Sequence, residues 1–194
     1  MVVVISIFLF IIGTAIMMFI SILQNQRRML AEQELFNQLS YAIEHMSKAM
    51  RMAKRDYEGS CLVDTINGSF PNHNFLLTRQ DTNANSYRGI KFISSSDNDS
   101  CYEFFLDTDG VLKELKNSTV DSDAIPLTSE RLKINYIRFS LSGSDGTITS
   151  EPYDPQGVQP RVTISMDIEI NSGGENLSQR VQATVSQRNL NIEE

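Results

Sequence analysis

Residues 1–23, MVVVISIFLFIIGTAIMMFISIL, contain no charged side chain and run directly into a polar helical pattern. At ~1.5 Å per residue, a helix over this run reaches roughly 35 Å, enough to cross a bilayer's ~30 Å hydrocarbon core. Gly13 is the only helix-weakening residue within it, and the first proline is Pro71. The following segment, QNQRRMLAEQELFNQLSYAIEHMSKAMRMAKRD, is rich in good helix formers. Leu35, Leu39, Ala42, Ile43, Met46, Ala49, Met50 and Ala53 recur at spacings of three and four, which places them on one face. The pattern predicts one helix from about residue 1 to about residue 55, its first half in lipid and its second half amphipathic. Leu35, Leu39, Ile43, Met46 and Met50 are expected to pack on a sheet, with Glu32, Lys48 and Arg55 exposed.

Beyond residue 57 the pattern changes to strands. RGIKFISS (88–95) and SCYEFFLD (100–107) cluster apolar and aromatic residues, and DTDG (107–110) supplies a turn before VLKELK (111–116), predicting a meander. LKINYIRFSLSG (132–143), RVTISMDIEI (161–170) and RVQATVSQRNL (180–190) follow. Val162, Ile164, Met166, Ile168 and Ile170 form a clean period-two stripe, whereas in 132–143 the two faces are mixed. One long helix followed by five or six strands predicts an α+β fold, with the helix's C-terminal half on an antiparallel sheet. The chain divides into an apolar half-helix (1–23), an amphipathic half-helix (24–56) and a β-rich globular domain (57–194) large enough for one core.

A cleaved signal peptide is the plain alternative for the start. It would need a basic n-region, an apolar stretch of ~7–15 residues and a small-residue cleavage site. No Lys or Arg precedes this run, the run is longer, and Leu23-Gln24-Asn25-Gln26 is a poor cleavage site. A retained anchor is the better reading. Arg27 and Arg28 alone would leave the C-terminal domain in the cytoplasm by the positive-inside rule. Cys61 and Cys101 argue the other way: an isolated even pair in an anchored chain favours one disulfide and an oxidising compartment. Two unrelated buried thiols are the alternative.

The start MVVVISIFLFIIG resembles the middle of the type IV prepilin signature, usually worded GFTLIELMVVVISI. The order of Cys-bracketed hairpins, IPLTSERLKINYIRFSLSG, QPRVTISMDIEI and the closing Q-x-T-V-S-x-R-N is similar to J-type minor pilins and pseudopilins. The resemblance implies a basic leader and a Gly-Phe-Thr-Leu-Ile-Glu-Leu-like stretch encoded upstream of Met1. It also implies a single-pass protein of the bacterial cytoplasmic membrane whose C-terminal domain lies outside the cytoplasm. Its partners would be other pilins or pseudopilins, joined through the N-terminal helix, and an inner-membrane assembly platform. The glutamate with an assembly role in that family matches no residue of this sequence. Ser6, Gly13, Thr14 and Ala15 are the small residues that would let neighbouring helices approach closely.

Charge narrows the choice of partners. Residues 57–194 hold 11 basic and 20 acidic side chains, a balance that repels phosphate backbones and argues against nucleic acid. Candidate chemistry is sparse. His45 and His73 have no partner at ligand spacing and read as surface residues, so no metal or cofactor is expected. Asp107, Asp109 and Gly110 begin like a calcium loop but lack its distal glutamate, and a hairpin turn accounts for them. No serine lies in a G-x-S-x-G setting and no glycine-rich phosphate loop occurs, so an enzyme is not expected. Asn67, Asn98, Asn117 and Asn176 stand in Asn-x-Ser/Thr triplets, as an Asn- and Ser-rich chain would show by composition alone. Two functions remain: a structural subunit of a pilus or type II secretion-like filament, and a membrane-anchored extracytoplasmic binding or sensor domain.

Overall fold

In a computed structural model of the chain, residues 2–64, 68–81, 86–143, 159–172 and 175–188 are described. Helix α1 runs unbroken from Val2 to Arg51, about 75 Å at ~1.5 Å per residue. Its apolar first half touches little else: Val2 to Leu23 are exposed apart from a half-exposed Gly13. Its second half buries Leu35, Leu39, Ala42, Met46, Ala49 and Met50. Helical propensity alone would carry α1 to about residue 55, but the chain leaves it four residues earlier. Ala53–Lys54 forms β1, pairing with Ser94 and Ile93, and Ala53 is fully buried. Sheet pairing replaces helical hydrogen bonds there, so tertiary contact overrides propensity.

The remaining strands are β2 (Val63–Asp64), β3 (Gly68–Ser69), β4 (Leu76–Asp81), β5 (Ser86–Ser94) and β6 (Ser100–Leu106). They continue with β7 (Leu112–Lys116), β8 (Ile125–Pro126), β9 (Leu132–Ser142), β10 (Arg161–Ser172) and β11 (Glu175–Ser186). The large sheet has the order β11-β10-β9-β5-β6-β7-β8, and β1 and β4 also pair with β5. Every pairing is antiparallel. The molecule is thus an α+β fold with one long helix on one antiparallel sheet. The meander 88–116 forms as its pattern predicts, and its turn uses Gly110 at φ 77° with Gly110 N–H donating to Asp107 O at 3.1 Å. β4 was not legible in LLTRQD, which alternates poorly. The expected strand end at 189–190, the triplet residue Asn67 and most of the loop 143–159 lie outside the described residues.

The mixed faces of 132–143 have a geometric cause. Asp167 of β10 faces Tyr136, yet Ile168 faces Ile134, so Asn135 is an extra residue in β9. This β-bulge shifts the phase of the strand. Leu132 and Ile134 point inward before it and Ile137 and Phe139 after it, all four buried. The main core joins these residues to the β10 stripe, to Phe92, Tyr102 and Phe104, and to the buried face of α1.

A smaller cluster sits on the sheet face away from α1. Cys61, Leu62, Leu76 and Ile93 are buried together there, with Phe70 and Cys101 at its margin. The disulfide Cys61–Cys101, with Cα atoms 5.6 Å apart, joins this covering segment to β6. Asp56, 2 % exposed, accepts from the backbone amides of Ser60, Cys61 and Leu62 at 3.2, 2.9 and 2.8 Å. A buried carboxylate so satisfied fixes the loop that carries Cys61.

Candidate assembly surface

The apolar half of α1 is the one element whose surface the rest of the described chain leaves bare. Among the described residues it is also the one helix long and apolar enough to cross a membrane, a candidate single span. Two of its three hydroxyls are satisfied within the helix: Ser6 donates to Val2 O at 3.0 Å and Thr14 to Ile11 O at 2.9 Å. Neither exposes an unpaired donor to hydrocarbon. An added Cβ on Gly13 would meet nothing within 4 Å. The four small residues do not share one face. At ~100° per residue, Ser6 and Gly13 fall within about 20° of each other, Thr14 lies roughly a quarter turn away, and Ala15 lies on roughly the opposite side.

The helix–sheet seam holds this half-helix at a fixed direction from the domain. Leu35, Leu39, Met46 and Met50 are buried, but Ile43 is only half-buried, at the margin of the stripe. Ser47, which the apolar pattern passes over, is buried beside it. Of the residues expected to be exposed, Lys48 is, while Glu32 and Arg55 are half-buried. Glu32 folds back to Arg28 at 3.3 Å.

His45 is not the plain surface residue that the sequence suggests. Its Nε2 lies 2.5 Å from Glu114 Oε2 on β7. Tyr41 stacks on its ring at 6.0 Å and Phe104 meets it edge-on at 5.9 Å. On the same flank, Gln38 Oε1 accepts from Ser129 N–H at 3.0 Å. These polar ties fix the rotation of α1 over the sheet, a task that apolar contacts perform less selectively. Nothing in the sequence signals them, because Glu114 lies 69 positions from His45. His73 stays local, its Nδ1 2.9 Å from Pro71 O.

Four further ion pairs hold the outer face and the hairpin ends. Arg79, at φ 57°, reaches Asp121 at 2.8 and 2.6 Å and Glu103 at 3.1 Å, its guanidinium 3.8 Å above the Phe105 ring. The Arg79 hydrogen bonds hold the Asp121 carboxyl below the usual aspartate range. Asp107 is lowered by Lys113 and by the Thr108 amide, and Asp97 by Lys116 and Tyr102. Burial, followed by Asp97, raises the Tyr102 phenol. Each pair closes a turn or strand end. Among the described residues no group of three or more His, Cys, Asp and Glu side chains could hold a metal. Comparison with protein-family models, with curated proteins and with solved structures gave no match to this chain.

Proposed function

We propose that this protein is a structural subunit of the minor pilin or pseudopilin kind, stored in a membrane through α1 and assembled into a filament through the same helix. The observation that carries this reading is the division of one continuous helix into a bare apolar half and a half fastened to an antiparallel sheet. A bare apolar helix is stable in lipid and equally stable when bundled with similar helices, so one segment serves both states. The rigid seam gives every subunit the same angle between helix and domain, which a regular filament needs. The disulfide supports placing the domain outside the cytoplasm.

The competing reading is an anchored binding domain whose helix only holds it in the membrane. Bulk on the helix separates the two. Gly13→Leu adds apolar volume and raises helix propensity, so the protein should reach the membrane at normal levels. If the Ser6–Gly13 stripe is a contact, the same change should reduce pulldown of partner pilins and lower filament counts by electron microscopy, as should Ser6→Leu. Normal pulldown and filament counts with leucine at Ser6, Gly13, Thr14 and Ala15 in turn would reject assembly through this helix and leave the anchored domain.

A further inference from the structure

Strand β11 is the last in the sheet order, and among the described residues no strand pairs with its outer edge. It is 12 residues long and paired with β10 from Ser172↔Glu175 to Arg161↔Ser186 without a register shift. It contains no proline and no bulge, so it lacks two of the usual devices that prevent edge pairing. The opposite end of the sheet differs: β8 has two residues, one of them Pro126. The edge strand β4 is interrupted by the left-handed Arg79.

Backbone direction on β11 follows from its neighbours. Gln187 N–H turns inward to Pro160 O at 3.2 Å, and Arg188 N–H turns outward to Arg51 O at 2.8 Å. Alternation then directs the amides of Ser178, Arg180, Gln182, Thr184 and Ser186 to the free edge. On the core face of the same strand Leu177, Val181 and Ala183 are only half-buried. Alongside runs the flank of α1 opposite His45, where Ser40, Ile43 and Ser47 border a depression of about 610 Å³. Among the described residues α1 alone lines this depression, and the half-buried row and unpaired backbone edge of β11 lie next to it, joined at Arg188 N–H to Arg51 O.

Its charge is unlike that of the rest of the domain. Lys48, Arg51 and Arg188 are exposed at its Arg51 end and form no ion pair among the described residues, against Glu44 alone. We propose that β11 and the Ser40–Arg51 flank of α1 form a β-addition site for an extended, acid-flanked segment of another protein. Main-chain bonds to the edge would supply affinity, and the half-buried apolar row and basic rim would supply selectivity. A second copy of this chain does not fit. Symmetric antiparallel pairing of two β11 edges places a two-fold axis normal to the sheet and turns the two α1 helices in opposite directions. Both apolar halves could not then enter one membrane. This exclusion rests on the anchoring of α1, which both functional readings share, and not on filament assembly.

The test uses the full chain in lipid nanodiscs and two soluble probes, the peptides EVTVTVE and KVTVTVK with blocked ends. EVTVTVE should bind and slow amide exchange at Ser178, Arg180, Gln182 and Thr184. KVTVTVK should bind roughly ten-fold more weakly, a difference expected to vanish at high salt. Gln182→Pro removes one outward amide at an edge position that tolerates proline, so it should keep the fold and lose the peptide. Equal binding of the two probes, protection away from β11, or full binding by Gln182→Pro would overturn the proposal. A peptide-free dimer already protected along β11 would overturn it in favour of a second copy. Because these readouts do not involve the bare half-helix, they are independent of the Gly13 experiment.

Discussion

Met46 and Ile43 lie one turn apart on the same predicted stripe, yet the structure gives them different weights. Met46 is fully buried beneath the sheet, whereas Ile43 is half-buried on the flank facing β11. An aspartate at position 46 would lose the methionine's packing and place a carboxyl with no partner in the core. Met46→Asp should therefore cost ~3–5 kcal/mol. At position 43 the carboxylate can reach water, and Ile43→Asp should cost about 1–2 kcal/mol. Denaturant unfolding followed by tyrosine near-UV circular dichroism measures both, and equal losses would show that the stripe is centred on the wrong residue. The His45–Glu114 contact teaches a related lesson. A histidine without local partners in sequence became a tie between helix and sheet, because folding brought β7 beneath α1.

Among the elements, β9 depends most on a single residue. Asn135 makes the strand present Leu132 and Ile134, then Ile137 and Phe139, to the same core. Without it the period-two alternation would turn one of these pairs to solvent. Deleting Asn135 should destabilise the domain by about 3–5 kcal/mol, the cost of unburying two large apolar side chains. Asn135→Ser keeps the residue count and should leave stability within ~1 kcal/mol. Thermal unfolding of the two variants checks this, and a harmless deletion would mean that the bulge does not set the phase. The end of α1 follows the same logic at larger scale. Lys54 and Arg55 are good helix formers, but pairing of Ala53–Lys54 with the end of β5 ends the helix at Arg51.

At the scale of the whole molecule, the Cys61–Cys101 bridge links the segment after α1 to the middle of the sheet across a sequence separation of 40. The chain-entropy model gives such a closure ~3–4 kcal/mol. The double replacement Cys61→Ser, Cys101→Ser should lower unfolding free energy by that amount, with the earliest loss of amide protection around Leu62 and Phe70. The α1 seam should keep its protection, because its core cluster does not include the bridge. A uniform loss across both clusters would show that the two faces of the sheet unfold as one unit.

The sequence by itself determined the long helix, its division into apolar and amphipathic halves, the α+β class, most strands and the disulfide pair. These are properties of local pattern: absence of charge over 23 residues, a three-four spacing, a period of two, and two isolated cysteines. Only the tertiary structure decided where α1 stops, how β9 keeps one face inward, that Ile43 is marginal, and that His45 meets Glu114. It alone showed that β11 presents, among the described residues, a regular unpaired edge beside a basic flank. Each of these depends on which distant segments become neighbours. Periodicity along a chain records which face a residue turns inward, but not what that face meets.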